Sequence, residues 1–261
     1  MMNSKISLIA LFLFSVLNSR SQGLDKYEKS VYVSGQDTIP YRILFPDNFD
    51  SSKKYPVLFF LHGRGESGTD NQSQLTHGGK LFLKEEVRSQ FPAIIIFPQC
   101  SKDSYWANVN IRTDSAGKRS FHFRKGGMPT KAMHALSGLV DRMVAKPYVD
   151  KERVYIGGLS MGGMGTYEML RRKPKLFAAA FAICGGDNLK NVKKYRKVPL
   201  WVFHGAKDDI VDPSFSENIV AELKKRNAVV KYTVYPDANH NSWDPALAEP
   251  ELLPWLFSHS N

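Results

Sequence analysis

The stretch V-Y-I-G-G-L-S-M-G-G, residues 154–163, decides the fold of this chain. A short apolar run ends in glycines, a serine stands among them, and a helix-forming segment follows at 166–172. This order predicts a strand, a sharp turn and a helix. Residues 158–162 also fit the pattern G-x-S-x-G, in which a strained turn lifts a serine hydroxyl above the end of a strand. Glycines suit this turn because the strand end and the helix start approach too closely to leave room for a Cβ atom.

Length and composition indicate one folded unit. The chain has 261 residues, of which 43% are hydrophobic, and we find no internal repeat or low-complexity linker. We therefore expect one large α/β domain at residues 22–261. Residues 1–21 combine a short basic start, an apolar run too short to span a bilayer, and small residues before a cleavage point at Gln22. They predict a signal peptide, and so a secreted or periplasmic protein without a stable membrane anchor; the alternative is a buried N-terminal helix.

The charge of the chain is strongly basic. The formal net charge is +11, and loss of Lys5 and Arg20 with the signal peptide lowers it by two, to +9. A basic surface favours acidic polysaccharides, nucleic acid or anionic lipid as partners, but it can also simply keep a secreted protein soluble. We find no nucleic-acid-binding motif, and no run of Lys and Arg exceeds three residues, the length of the run at 171–173. We predict no nucleic-acid partner and leave the oligomeric state open.

Strands and helices alternate along the chain, which predicts a mostly parallel central sheet with helices on both faces. Alternating stretches at 29–34 and 39–45, joined by Gly35-Gln36-Asp37, predict an N-terminal antiparallel hairpin. Besides the strand and helix around Ser160, strands are predicted at 55–61, 92–99, 177–184, 198–203 and 229–235, and helices at 80–90, 131–145, 214–226 and 250–259. Cys100 and Cys184 then follow strands three positions, about 14 Å, apart, which predicts unpaired thiols.

The loop after the strand at 55–61 reads H-G-R-G-E-S-G, residues 62–68. It matches the dinucleotide-binding pattern G-x-G-x-x-G, but that fold needs a second strand carrying an acidic residue about 20 residues later. Glu85 and Glu86 stand near that distance inside a predicted helix instead. We favour a strand-end loop whose backbone N–H, at Arg64, joins that of Met161 in binding an oxyanion. We predict no cofactor and no metal.

The segment 100–130 is the least regular part of the sequence. It interleaves aromatic residues, Trp106 among them, with Arg and Lys, and it leaves the sheet at the end where ligands bind in open α/β folds. An excursion of about 30 residues in a compact domain is usually functional or disordered. Two interpretations stand: a substrate-binding lid with Trp106 as an apolar wall, or a solvated loop whose aromatic side chains tuck under the helices.

A serine hydroxyl becomes a nucleophile when a base takes its proton and an acid orients that base. The α/β-hydrolase order is Ser, then Asp or Glu, then His. His240 stands in a polar loop after the last predicted strand, at the sheet end where Ser160 lies, and is our predicted base. His204 closes a strand, where a structural hydrogen bond is expected, and His259 stands close to the C-terminus.

The acid is expected in the loop after the strand at 198–203, which offers Asp208, Asp209 and Asp212. Spacing alone does not separate the first two. The residues that are not the acid are expected to serve turns or helix caps. Asp187, after an earlier strand, is a further alternative.

With these elements in order, the sequence resembles the α/β-hydrolase esterases of the phospholipase/carboxylesterase and dienelactone-hydrolase-like group. It looks most similar to their secreted bacterial branch, often labelled predicted peptidases and related to feruloyl and polyhydroxybutyrate-depolymerase-like esterases. The resemblance runs from about residue 39 to 257. It rests on L-H-G-R-G-E (61–66), T-D-N (69–71), G-L-S-M-G-G (158–163), I-C-G-G (183–186), F-H-G-A-K-D-D-I-V (203–211), H-N-S-W-D (240–244) and L-L-P-W-L-F (252–257).

The resemblance implies an α/β-hydrolase fold, and its pattern H-G-x-x-D assigns the acid as Asp208. Two features depart from the family. The position of Arg64 is usually small or apolar, so its side chain could reach into the cleft and favour an anionic or polar acyl group. The excursion at 100–130 also looks longer than usual, so the substrate does not transfer from relatives.

We therefore expect a secreted serine carboxylic-ester hydrolase that works through Ser160, His240 and Asp208. Secretion, the basic surface, and Trp106 and Trp243 near the cleft favour acyl esters of carbohydrates, such as acetyl or feruloyl esters, as substrates. Two alternatives are a serine peptidase on the same three residues and a non-catalytic binding protein on a hydrolase scaffold.

Overall fold

The computed structural model describes residues 23–35 and 37–261. The predicted signal peptide, residues 1–21, lies outside this range. None of the helices within the range has the length and apolar character that a bilayer crossing requires.

The described residues form ten strands: β1 Glu28–Ser34, β2 Asp37–Leu44, β3 Tyr55–Leu61, β4 Ile94–Pro98, β5 Val109–Thr113, β6 Arg119–Phe123, β7 Val149–Leu159, β8 Ala179–Ile183, β9 Leu200–Gly205 and β10 Val230–Tyr235. Eight of them form one sheet in the order β1-β2-β4-β3-β7-β8-β9-β10, and β5 pairs with β6 separately. β1–β2 and β2–β4 are antiparallel, whereas all neighbours from β4 to β10 are parallel. The predicted α/β-hydrolase fold, with its N-terminal antiparallel hairpin, is confirmed.

Helices cover both faces of this sheet: α1 Glu85–Gln90, α2 Lys131–Val144, α3 Met161–Arg172, α4 Val192–Tyr195, α5 Ser214–Lys224, α6 Trp243–Leu247 and α7 Leu252–Phe257. Successive residues of a strand point to opposite faces, so each central strand serves two cores. Phe59 of β3 packs in a cluster with residues of α2, α3 and α5, while its neighbour Phe60 packs in a cluster with residues of α7. Burial on both faces explains why β3 is a continuous apolar run.

Short helices account for several differences from the sequence prediction. The predicted helix at 80–90 is a 3-10 turn at Leu81–Leu83 followed by α1, because Lys84 between them has an extended backbone. The predicted connector at 190–197 contains α4, and the polar loop at 240–244 runs into α6. Neither α4 nor α6 is long enough to show helical periodicity in the sequence.

The segment 100–130 contains a regular hairpin, β5–β6, which the sequence analysis missed. Its turn is built by Asp114, whose Oδ1 accepts the N–H groups of Ala116 and Lys118. Gly117 supplies the left-handed backbone that the turn requires (φ +82°). The strand pairing runs from Val109–Phe123 to Thr113–Arg119. The signal that was available is the Asp-x-x-Gly turn between two alternating stretches.

Contacts at its base anchor this hairpin over the carboxyl edge of the sheet. Phe123 packs edge-on against Phe215 of α5, with 5.2 Å between ring centres. Asn188 donates from Nδ2 to the Phe123 carbonyl (2.9 Å), and Asn191 donates to the carbonyl of the next residue (3.2 Å). The segment is therefore an ordered wall at the edge of the sheet where Ser160 lies.

The two cysteines follow strands that are three positions apart in the sheet. Cys100 comes after β4 and Cys184 after β8, and both are buried and unpaired, as predicted. Burial raises the pKa of the Cys100 thiol to about 12 and raises that of Cys184 as well.

Candidate active site

Ser160 occupies the turn between β7 and α3 and has a left-handed backbone (φ 51°, ψ −115°). A non-glycine residue adopts this conformation only where its surroundings impose it. Here the Ser160 N–H donates to the Ile183 carbonyl (2.8 Å), and the Ser160 carbonyl accepts the N–H of Met164 (3.0 Å). These two hydrogen bonds hold the predicted strand–turn–helix in place.

The glycines on either side of the serine are required by close backbone approach. A Cβ atom on Gly158 would lie 2.6 Å from the Leu61 carbonyl oxygen. A Cβ atom on Gly162 would collide with the same carbonyl group, at the end of β3. Real Cβ atoms do not approach backbone oxygens so closely, so the steric reason predicted for both glycines is confirmed.

The structure brings Ser160, His240 and Asp208 into one chain of contacts. Ser160 Oγ lies 2.9 Å from His240 Nε2. His240 Nδ1 lies 2.8 Å from Asp208 Oδ2 and 3.0 Å from its Oδ1. His240 comes from the loop after β10 and Asp208 from the loop after β9, so three separate strand ends contribute. With Nδ1–H donated to Asp208, Nε2 is left to accept the serine proton.

Asp208 lies in a buried position that favours its charged form. Burial by itself raises its pKa, but hydrogen bonds from His204 and His240 and from the backbone N–H of Val211 outweigh this effect. The pKa of Asp208 is therefore held well below its usual range. The N–H groups of Ile210 and Val211 both donate to Oδ1, at 3.0 and 2.9 Å. Asp208 is thus an oriented anion next to His240.

His204 has the structural role that the sequence predicted, but its place relative to Asp208 was not foreseen. The side chain is completely buried, and its Nε2 lies 3.2 Å from Asp208 Oδ2 and 2.9 Å from the Val211 carbonyl oxygen. Its Nδ1 lies 2.7 Å from Ser216 Oγ. Acceptors face Nε2, so we place the ring proton there, and Nδ1 then accepts the Ser216 hydroxyl. His204 supports Asp208 from the side away from His240.

The other acids offered by the sequence do not contact His240. Asp209 is exposed, and its backbone N–H donates to Asn239 Oδ1 (3.2 Å). Asp212 accepts the N–H of Ser214 (2.8 Å) at the start of α5, as expected of a capping residue. Asp187 is buried in a separate group with Asn191 and Tyr195, where burial raises its pKa to about 6.

His62 positions the loop that carries Arg64. Its ring lies 2.6 Å through Nδ1 from the Gly63 carbonyl oxygen, and its Nε2 accepts the N–H of Cys100 (2.9 Å). Burial lowers the pKa of His62 to about 4, so the ring is neutral near pH 7. Arg64 then begins a 3-10 turn, just as Met161 begins α3. The first N–H groups of such turns lack acceptors within the turn, as an oxyanion site requires.

The side chain of Arg64 ties two loops together. Its guanidinium donates to the carbonyl of Lys102 (2.6 Å) and to that of Ser104 (2.8 Å). It also lies 5.8 Å from the centre of the Tyr105 ring. The sequence suggested that this side chain could reach into the cleft and favour an anionic or polar acyl group. In the structure its guanidinium donates hydrogen bonds to backbone carbonyls instead.

A cavity of about 260 Å³ opens beside Ser160. Its lining includes residues of the segment after β3, of the β5–β6 hairpin, and of the loops after β9 and β10. These residues are Gly63, Arg64, Gly65, Glu66, His77, Tyr105, Arg119, Phe121, Leu159, Ser160, Ile210, His240 and Trp243. Trp243 lies where predicted, with its ring 5.5 Å from that of His240 and nearly perpendicular to it (88°). The sequence analysis did not identify Glu66 or His77, whose Oε1 and Nε2 lie 3.7 Å apart across the cavity wall.

The prediction that Trp106 lines the cleft is wrong. Its side chain is completely buried (0% exposed) and belongs to the core between the sheet and α3. Its Cβ lies against Gly165 of α3, where an added Cβ would approach it to 2.5 Å, and its ring meets that of His62 at 5.5 Å. The adjacent Tyr105 lines the cavity instead. The sequence cannot distinguish two neighbouring aromatic residues that point in different directions.

Cys184, Asp208 and His240 place three ligand atoms within 4.8 Å of one another, a grouping that can hold a metal ion. Two of these residues, however, already bond to each other through the atoms that a metal would use. Burial raises the pKa of the Cys184 thiol, which disfavours the thiolate form that binds metals. The site therefore suits acid–base chemistry better than metal binding.

The family comparison assigns most of this domain. A family model described as phospholipase/carboxylesterase matches residues 49–249. That range contains Ser160, Asp208 and His240 together with the loop after β3.

Individual relatives include esterases and a peptidase. The chain is 38% identical over 84 residues to a bifunctional acetylxylan esterase/xylanase of Neocallimastix patriciarum (32% of this chain, 12% of the relative). It is 25% identical over 261 residues to a probable dipeptidyl-peptidase 5 of Aspergillus terreus (84% and 33%), and 25% identical over 187 residues to a probable feruloyl esterase C of Aspergillus clavatus (69% and 59%). The chain spans less than two thirds of the length of each of these relatives.

A solved structure with a similar fold is the crystal structure of a thermostable esterase. It superimposes with a TM-score of 0.81 and 30% sequence identity, covering 92% of this chain and 64% of that one. The similarity therefore extends over nearly the whole sheet and the helices on its faces.

Proposed function

The chain belongs to the phospholipase/carboxylesterase family, and from this premise we propose that it is a serine esterase with Ser160 as nucleophile, His240 as base and Asp208 as acid. One observation carries the proposal: the contacts of 2.9 and 2.8 Å that link Ser160 Oγ, His240 and Asp208 at the wall of a cavity. A serine on a strained turn with no catalytic role has no reason to meet a histidine that a buried carboxylate orients.

The proposed reaction follows from this geometry. Ser160 Oγ attacks the ester carbonyl carbon while His240 Nε2 takes the hydroxyl proton. Asp208 accepts the Nδ1–H and stabilises the imidazolium that forms. The N–H groups of Met161 and Arg64 donate to the oxyanion, and losing one such donor typically costs about 100- to 1000-fold in rate. His240 then gives this proton to the leaving alcohol as the ester C–O bond breaks. Water attacks the acyl carbon while His240 takes a proton from it, and His240 returns that proton to Ser160 Oγ as the acid is released.

We propose acyl esters of carbohydrates, such as acetyl or feruloyl esters, as the substrates of a secreted enzyme. Two relatives have names that point to such esters, acetylxylan esterase and feruloyl esterase. The cavity of about 260 Å³ beside Ser160 is lined partly by aromatic side chains, Tyr105 and Trp243 among them, and suits a small or flat acyl group. The predicted signal peptide supports export to where polysaccharides occur.

A fluorophosphonate probe and a panel of esters test this proposal. We expect labelling and ester hydrolysis by the wild type and neither by Ser160→Ala. Release of acetate or ferulate from plant polysaccharide would support the carbohydrate substrate. Hydrolysis of short p-nitrophenyl esters without release from any such polysaccharide would count against that substrate but not against the esterase. No labelling of the wild type would instead favour a non-catalytic binding protein.

The second candidate is a serine peptidase, which the similarity to a probable dipeptidyl-peptidase 5 favours. The same three residues can cleave an amide if His240 protonates the leaving amine. The chain corresponds to only 33% of that relative, so the parts that bind peptides there need not exist here. Aminoacyl-naphthylamides compared with simple esters separate the two, since a peptidase would turn over the amides at a comparable rate.

A further inference from the structure

A second and larger cavity, of about 650 Å³, adjoins the cavity at Ser160. The two cavities share three lining residues, Arg119 and Phe121 of the hairpin and Ile210 of the loop after Asp208. The larger cavity is completed by Lys118, Ser120, His122, Asp208, Asp209, Asp212, Pro213 and Phe215. Its volume lies in the range of ligand-binding clefts, about 300–1,000 Å³, and exceeds what a small acyl group needs.

The two walls of the larger cavity carry opposite charges. The hairpin supplies Lys118 and Arg119, which are both exposed. The facing loop supplies Asp209 and Asp212, and hydrogen bonds from Ser214 lower the pKa of Asp212, so it is an anion. Such a groove suits a ligand that is anionic along one edge and rich in hydroxyl donors along the other.

Aromatic rings lie between these walls. Phe121 is almost fully buried and Phe215 is half-buried, and both contribute to the lining of the larger cavity. Rings that are partly covered offer an apolar surface at little entropic cost because they are already ordered. The half-buried Phe215 ring offers an apolar surface to a pyranose ring, which has an apolar C–H face and a hydroxyl-bearing edge.

Arg119 is the charged residue that lines both cavities, and its guanidinium has no ion-pair or hydrogen-bond partner among the described residues. Among the described residues, no carboxylate or carbonyl lies within hydrogen-bond reach of its guanidinium. By contrast, Arg64 donates to two carbonyls and Arg172 to Glu168. The titratable side chains that line the smaller cavity with Arg119 are Arg64, Glu66, His77, Tyr105 and His240. None of these side chains forms an ion pair or hydrogen bond with Arg119 in the part of the chain that the structure describes, so its guanidinium is available to an external anion.

We propose that the larger cavity is a subsite for a sugar residue bearing a carboxylate, a uronate, in the polysaccharide whose ester is cleaved at Ser160. Arg119, with Lys118, pairs with the uronate carboxylate. Asp209 and Asp212 accept hydroxyl hydrogen bonds on the opposite wall, and Phe215 packs against the apolar face of the ring. This inference rests on the proposed esterase function and specifies its substrate as an acidic glycan.

The test compares two acetylated xylo-oligosaccharides of equal length, one with and one without a glucuronate side group. We expect the wild type to show a higher kcat/KM for the acidic substrate. Arg119→Gln lowers the ratio of the two kcat/KM values about fivefold, the scale of one exposed ion pair, and Arg119→Lys retains part of it. Added salt lowers the wild-type ratio in the same direction.

Arg112→Gln is the matched control, because it removes one charge from the same hairpin but does not line either cavity. It should leave the ratio unchanged. Equal kcat/KM values for the two substrates in the wild type, or an equal drop in Arg112→Gln and Arg119→Gln, would overturn the subsite. The second outcome would indicate general attraction of any polyanion, nucleic acid included.

Binding to an inactive variant separates failure of the subsite from failure of the esterase. Ser160→Ala is titrated calorimetrically with the deacetylated acidic oligosaccharide, and Ser160→Ala/Arg119→Gln is titrated in parallel. We expect about fivefold weaker binding by the double variant. If the wild type hydrolyses no ester yet this difference persists, the esterase is wrong and the subsite stands. If esters are hydrolysed and the difference is absent, the subsite is wrong.

Discussion

The loops that carry Asp208 and His240 meet the β5–β6 hairpin at the same edge of the sheet, but the two regions differ in burial and in hydrogen bonding. Asp208 is buried and held by four hydrogen-bond donors, two from histidine rings and two from backbone N–H groups. In the hairpin, every residue from 111 to 120 is exposed, and Arg119 has no partner among the described residues. The difference fits the two proposed roles: many contacts fix the geometry around Asp208, where we propose the chemistry, and few contacts restrain the hairpin, where we propose substrate recognition.

Loss of the proposed nucleophile, Ser160, should have the largest effect on activity. If activity survived, the proposed contrast between the catalytic loops and the hairpin would no longer hold. Ser160→Ala should lower kcat for ester hydrolysis by about 10⁴-fold or more. The fold should survive because the one side-chain hydrogen bond of Ser160 among the described residues is to His240. Ser115→Ala at the hairpin tip should change neither kcat nor the urea midpoint. Substantial residual activity in Ser160→Ala would mean that the reaction does not pass through this serine.

The two tryptophans test the same contrast between core and wall. Trp106→Ala should lower the free energy of unfolding by about 3–5 kcal/mol, because its side chain is completely buried against α3. Trp243→Ala should cost much less stability but raise KM, because Trp243 is half-buried and lines the cavity. Urea unfolding and ester kinetics on both variants decide the matter. A raised KM of Trp106→Ala without loss of stability would instead indicate that Trp106 lines the cleft.

The pH dependence of stability sharpens the description of Asp208. Its pKa is depressed in the folded state, so its charge stabilises the fold above the ordinary pKa of about 3.9. That contribution is lost as the pH falls through this value towards the folded pKa. Asp208→Asn should therefore reduce the loss of stability between pH 7 and pH 3, measured by urea unfolding. Asp209→Asn, an exposed neighbour, should leave that loss as in the wild type, and identical curves for all three proteins would contradict the assignment.

The smallest expected effect lies in the hairpin turn. Gly117→Ala places a side chain on a residue with φ +82°, which should cost about 1 kcal/mol of stability, or about 2–4 °C in Tm. An added Cβ meets no other atom, so backbone strain is the only cause. Gly65→Ala, which also meets nothing, lacks the positive φ and should not lower Tm. Equal shifts in both variants would show that the turn conformation is not what Gly117 provides.

The structural features that could be predicted from the sequence are those for which a physical constraint permits only one type of residue. Close backbone approach demands glycine at 158 and 162, and burial on both faces demands an apolar run at 55–61. The strand–turn–helix around Ser160 was predicted this way, and His240 was chosen because its loop follows the last predicted strand. The choice of Asp208 as the proposed acid needed the family resemblance, because Asp208 and Asp209 are adjacent and equally suited by spacing. Their difference appears only in three dimensions, where one is buried against His204 and the other faces solvent.

The orientation of side chains on irregular backbone was beyond sequence reasoning. Trp106 and Tyr105 are neighbours, yet one enters the core and the other lines the cavity. The β5–β6 hairpin was missed although its strands alternate, because each has only five residues and Phe121 is the single buried residue in the two strands. The hydrogen bonds of the Arg64 side chain could not be predicted either. They depend on where the segment 100–130 places the carbonyls of Lys102 and Ser104.

Cys100 and Cys184 are both buried, so the reactivity of their thiols can report on unfolding of the domain. Both sulfur atoms are enclosed and protonated, so the thiolate that reacts with alkylating agents or peroxide is scarce in the native state. Maleimide capture of the two sulfurs then occurs only when the domain unfolds, and its rate counts unfolding events directly.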